Sequence, residues 1–164
     1  MRLSATTQHN MYNPKMEAMS RDERYALQSE RLRRVVRHEY DNVAVYRARM
    51  DAKGIRPEDV RSLEDLKYLP FMEKTDLRDQ FPYGLLAVPL HDIVRIQGSS
   101  GTTGKPIVSG YTQGDVDVWT EMMARTLSAA GGGADDIVQV AYGYGLFTGG
   151  LGLHYGVEKI GATV

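Results

Sequence analysis

Cysteine is absent from all 164 residues, which excludes a disulfide framework, a thiolate metal site and a cysteine nucleophile, and permits a reducing compartment. An excess of charge is absent too: 20 Lys and Arg stand against 21 Asp and Glu, for a formal net charge of -1. No overall field therefore steers the chain to nucleic acid or to an anionic membrane. No apolar run approaches the roughly 20 residues needed to cross a bilayer. The first residues lack the apolar stretch of a signal peptide, so the expected location is the cytoplasm. One basic concentration exists, Arg31-Leu32-Arg33-Arg34 with Arg37. Glu23, Glu30 and Glu39 surround it, and it reads as a solvated helix face.

What is present suffices for a core. Hydrophobic residues make up 42% of the chain and charged residues 25%, and a domain of this size buries roughly two thirds of its unfolded surface without disulfides or metals. Residues 1 to 19 are polar and aperiodic and read as an extended arm. Ser20-Arg21-Asp22-Glu23 is a capping box, in which hydroxyl and carboxylate satisfy the free amides of a helix start. The following helix carries Tyr25, Leu32, Val35, Val36 and Tyr40 as an apolar stripe. Val43 to Ala52 continues as a second helix, ended by Gly54. Short pieces are expected after Pro57 and after Ser62. Leu69 to Asp76 reads as a connection, because proline blocks a helix there.

A boundary near residue 70 separates a helical N-terminal portion, 1–70, from a glycine-rich and β-branched portion, 71–164. In the latter, Val94 to Gln97 and Ile107 to Tyr111 alternate as strands around a loop. A helix is expected from about 113 to 130, with Val116, Trp119, Met123 and Leu127 on one side and Gly131-Gly132-Gly133 ending it. Ile137 to Ala141 reads as a buried strand. A glycine-rich turn, a helix with Leu151, Leu153, Val157 and Ile160, and a strand opening at Ala162-Thr163-Val164 follow. The fold class is thus α/β: a helical N-terminal portion, then the first part of a mostly parallel sheet with packed helices, incomplete because such a sheet needs more strands.

Two motifs carry chemistry. Gly98 to Pro106 packs three glycines, four hydroxyls and one lysine into nine residues. Glycines let amide donors approach an anion, hydroxyls add short donors and lysine adds a charge. The pattern G-x-x-x-x-G-K-[ST] does not fit: counting back from Gly104 places the first glycine at Ser99, and Pro106 replaces the magnesium-binding hydroxyl. Proline also disfavours the helix that should start there. A hairpin lid over a phosphate chain remains. The second motif, Tyr142 to Gly150, lies where the strand Ile137 to Ala141 meets the next helix, and open α/β sheets bind ligands at such ends. Aromatics spaced by glycine suit a flat-walled slot. His154 on an apolar helix reads as a packed residue without a triad partner. His38 and His91 carry no assignment, and Asp135-Asp136 reads as a turn rather than a metal site.

Ser99-Ser-Gly-Thr-Thr-Gly-Lys-Pro106 resembles the signature loop of the adenylate-forming superfamily. Tyr12-Asn13-Pro14, Leu63-Glu64-Asp65-Leu66, Leu69-Pro70-Phe71, Asp76-Leu77-Arg78, the run Tyr83 to Pro89 and the run Tyr142 to Gly152 narrow the resemblance to the phenylacetate–coenzyme A ligase family. It implies activation of an aryl carboxylic acid by ATP to an acyl-adenylate, then transfer to coenzyme A. Preorganised donors would stabilise the departing pyrophosphate. By resemblance, Ser99, Ser100, Gly101, Thr102, Thr103, Gly104 and Lys105 hold the phosphates, and Tyr142 and Phe147 line the aryl pocket. Phe147 stands where other acyl-CoA synthetases of the superfamily carry a histidine, which suits an aromatic acid. ATP, Mg2+ and coenzyme A are the implied cofactors, and a homodimer is the expected assembly. The family's adenine, ribose and catalytic-lysine motifs do not occur in these residues, so no catalytic residue is assigned. The chain is expected to be an N-terminal fragment, inactive alone. The alternatives are a ligase for another aromatic acid such as benzoate, and a non-catalytic nucleotide-binding module.

Overall fold

The computed structural model describes residues 11–99, 107–146 and 148–164. They fall into two compact units: Met19–Thr112, and Gln113–Val164 together with the N-terminal segment ending at Ala18. The composition change near residue 70 lies inside the first unit.

In Met19–Thr112 the capping box forms. The Ser20 hydroxyl accepts the Glu23 amide at 3.3 Å and the Ser20 amide donates to the Glu23 carboxylate at 3.0 Å, opening α2 (Arg21–Asn42). Helix α3 (Ala44–Ala52) follows, and Gly54 takes φ 65°, the left-handed turn that glycine adopts without a Cβ penalty. Short 3-10 pieces occupy Pro57–Asp59 and Leu63–Tyr68. Val36, Met50, Val60 and Leu69 form the buried cluster, with Leu32, Tyr40, Tyr46 and Ile55 packed around it.

Two expectations are corrected here. The stripe on α2 is Ser29, Leu32, Val36 and Tyr40; Val35 is 49% exposed and Tyr25 lies at the surface, its hydroxyl bonded to Glu64. A helix of 3.6 residues per turn cannot turn both Val35 and Val36 fully to one neighbour. The Leu69 to Asp76 segment is more than a connection: Leu69 is core, and Lys74–Asp79 forms helix α4. Buried Asp76 accepts the Glu73 amide at 2.6 Å and pairs with Arg49, which also donates to the Phe71 carbonyl at 2.5 Å. Strands β1 (Ile93–Gly98) and β2 (Val108–Thr112) pair antiparallel, Ile96 facing Gly110 and Gly98 facing Val108. A Cβ on Gly110 would stand 2.9 Å from Leu86.

In the other unit α5 (Gln113–Ala129) packs on α6 (Thr148–Lys159). The contact depends on glycines of α6: a Cβ on Gly152 would stand 2.6 Å from the Trp119 indole, and one on Gly156 would run into Met123. The expected arm is corrected as well. Pro14–Glu17 forms a helical turn, α1, capped by Asn13 and tied to α5 by the Asn13 side chain donating to Glu121 at 2.8 Å and by Glu17 lying 3.7 Å from Arg125. The run Ile137 to Ala141 pairs in parallel with Thr163 through one bridge at Ile137, and Ile137 is 85% exposed. The parallel direction is as expected, whereas the burial is not, because a strand is covered only by neighbours on both faces and these residues supply one short partner.

Candidate functional site

The two motifs belong to different units, and each is built locally. At the hairpin, the pairing of β1 with β2 brings the two ends of the glycine and threonine loop together. The Ser99 amide donates to the Ile107 carbonyl at 3.0 Å, and the Ile107 amide donates to the Ser99 hydroxyl at 3.2 Å. This reciprocal clasp extends the ladder one residue past Gly98. In it the Ser99 hydroxyl serves as an acceptor for the backbone. Ser100, Gly101, Thr102, Thr103, Gly104 and Lys105 lie outside the described residues, as does Phe147. The donor set that the clasp brackets, hydroxyls and amides with one cation and no carboxylate, fits a phosphate chain.

At the second motif the backbone turns over the start of α6. A Cβ on Gly150 would stand 2.8 Å from the Gly143 carbonyl oxygen and 3.1 Å from that of Tyr142, and a Cβ on Gly149 2.6 Å from the Tyr142 ring. Glycine at 149 and 150 therefore lets the turn lie directly on the helix. Tyr142, 63% exposed, sets its ring against the start of α6 at Gly149. Tyr144 and Leu146 are likewise about half exposed. Three apolar side chains within five residues thus remain uncovered beside a tightly packed helix start.

Sequence reasoning passed over one group here. The Tyr144 hydroxyl and His154 Nδ1 are 3.1 Å apart, the two rings meet edge to face at 5.5 Å and 84°, and His154 Nε2 is 3.5 Å from the Glu158 carboxylate. The available signal was the four-residue step from His154 to Glu158, which places both on one helix face. Among the described residues no group of three or more His, Asp or Glu is arranged to hold a metal ion, and no helix is long and apolar enough to cross a membrane.

No protein-family model matches the chain. Phenylacetate-coenzyme A ligase of Aromatoleum evansii is 56% identical over 149 residues, that of Escherichia coli K12 is 55% identical over 149, and that of Thermus thermophilus is 52% identical over 154. These matches cover 91–94% of this chain, which spans only 34–35% of the length of those relatives. Among solved structures, 2-hydroxyisobutyryl-CoA ligase in an open conformation with 2-HIB-AMP and CoA superposes with TM-score 0.85 at 28% identity, over 97% of this chain and 38% of its own. The same ligase in its thioesterification state gives TM-score 0.83 at 32% identity, over 91% and 32%. The α/β reading as an incomplete part of an adenylate-forming fold agrees with these neighbours. Carried by more than nine tenths of its length, the sequence match places this chain, as a segment, in the phenylacetate–coenzyme A ligase family.

Proposed function

We propose that the chain is the phosphate-gripping and acid-binding segment of a ligase that activates phenylacetate with ATP to an acyl-adenylate and passes the acyl group to coenzyme A. The observation that carries this reading is the hairpin: in a chain 52–56% identical to phenylacetate-CoA ligases, a hydroxyl-rich, carboxylate-free loop is clasped at its base by Ser99 and Ile107. The neighbouring 2-hydroxyisobutyryl ligase, crystallised with an acyl-adenylate and CoA, supports the two-step scheme.

In this reading ATP supplies the activated α-phosphate. Ser99, Ser100, Thr102 and Thr103 donate to the β and γ phosphates, Gly101 and Gly104 provide the bend, and Lys105 offsets negative charge on the departing pyrophosphate. Tyr142 and Phe147 flank the aryl ring. Mg2+ belongs to the same proposal, with no ligand assigned to it from these residues. So do the division into a helical portion, 1–70, and the start of a large domain, 71–164, a cytoplasmic location and a homodimer.

The test uses the full-length protein that carries this segment, or the Escherichia coli relative with its matching third replaced by it. Phenylacetate-dependent exchange of pyrophosphate into ATP is expected, and Thr102→Ala with Thr103→Ala should slow it at least about tenfold, the loss that follows from removing one or two well-placed donors. Unchanged exchange in the double variant would sink the loop assignment. Nucleotide binding without acid-dependent exchange would instead identify an accessory module, and faster exchange with benzoate another aromatic acid. Phe147→Ala should raise the KM for phenylacetate more than that for ATP.

A further inference from the structure

We propose that His154 is a positioning residue, which holds Tyr144 as a wall of the acid slot; this rests on the reading of the Tyr142 to Gly150 turn as the acid-binding site. Tyr144 is the one aromatic of the turn with glycine on both sides, and a Cβ on Gly143 or Gly145 would meet nothing within 4 Å. No side chain of its neighbours packs on this stretch, although the Gly143 carbonyl rests on Gly150, and glycine neighbours widen the conformations open to Tyr144. What orders Tyr144 is its side chain: the hydroxyl at 3.1 Å from His154 Nδ1 and the edge-to-face ring contact at 5.5 Å.

His154 is in turn fixed. It stands on α6 between Gly152 and Gly156, the two glycines that seat this helix against Trp119 and Met123 of α5. The Tyr155 ring also meets it, edge to face, at 5.4 Å and 86°. Glu158, one turn on, faces Nε2 at 3.5 Å, which favours the tautomer with its proton on Nε2. Nδ1 is then an acceptor, and the Tyr144 hydroxyl donates to it. A half-exposed aromatic between two glycines is thereby tied to a packed helix, which is how a binding wall is held to the tolerance that recognition of a flat ring needs. Tyr142 needs no such tie, because its ring already lies on Gly149.

The experiment separates this from a general packing role by replacing each ring nitrogen in turn. Asparagine keeps an acceptor near the Nδ1 position, whereas glutamine keeps a donor near Nε2. In the full-length ligase or the chimera, Tyr144→Phe and His154→Gln should each raise the KM for phenylacetate roughly threefold to tenfold, the worth of one hydrogen bond, with the KM for ATP within about twofold. His154→Asn should stay near the parent, and Tyr144→Phe with His154→Gln should be no worse than either alone. An unchanged phenylacetate KM in both single variants, or equal rises for acid and ATP, would overturn the proposal while leaving the ligase reading intact. If the parent activates no aryl acid, the ligase reading fails instead. The contact is then decided by 15N NMR of the histidines in the same protein: Tyr144→Phe should move the His154 Nδ1 resonance, and an unmoved resonance overturns the contact as well.

Discussion

Gly149 and Gly156 stand two turns apart on α6, and a methyl group added at each meets a different kind of obstacle. At 149 it would come within 2.6 Å of the Tyr142 ring, which is 63% exposed and can swing away. Gly149→Ala should therefore leave the thermal midpoint within about 2 °C, an effect of under ~1 kcal/mol, yet raise the phenylacetate KM severalfold by tilting the Tyr142 ring, the proposed slot wall. Steady-state kinetics beside a melting curve would check this. At 156 the methyl would meet Met123, including its backbone carbon at 3.0 Å, in a buried contact. No flexible tip can yield there, so Gly156→Ala must push α5 and α6 apart at a cost of about 1–3 kcal/mol. Urea unfolding would show it. The glycines were visible in the sequence as a turn and a helix; that one lies under the Tyr142 ring and the other in a helix contact depends on which side chain the fold brings opposite each.

Among the elements, those with local causes were read where they stand. Helix α2 starts at its capping box, α3 stops at Gly54, and α5 stops before Gly131, which takes φ 98°. Ser20→Ala should remove the α2 cap and lower stability by about 1 kcal/mol, read as a lower denaturation midpoint with an unchanged slope. Helix α4 was missed although its cap, Asp76 on the Glu73 amide, is local; its remote support is Arg49, 27 residues earlier, which neutralises Asp76. Helix α1 too has a local start, the Asn13 cap before Pro14, while its anchors, Glu121 and Arg125, lie more than 100 residues away in sequence.

Over the whole of the Met19–Thr112 unit, acid sensitivity follows from paired carboxylates. The Ser20 hydroxyl and amide hold Glu23 below the ordinary range. Ser62 and Tyr25 do so for Glu64, the Arg61 and Ser62 amides for Asp65, and Arg37 for Glu58. These groups bind protons less readily folded than unfolded, so the stability they contribute is present above about pH 4 and is lost as pH falls through their lowered values. Glu39, raised by burial, acts in the opposite sense. With four lowered against one raised, the urea midpoint of this unit should fall between pH 6 and pH 3; a flat or rising midpoint would contradict the assignment.

Periodicity, caps and glycine spacing in the sequence determined most helix limits, the antiparallel strand pair, and the resemblance that its relatives bear out. These are short-range matters, set by sterics and amide satisfaction within a few residues. Only the tertiary structure decided that Val36 rather than Val35 is buried, that Ile137 stays exposed beside a single parallel bridge, and that His154 meets Tyr144. Each of those is settled by a partner brought close by the chain path, and no local pattern encodes which partner arrives.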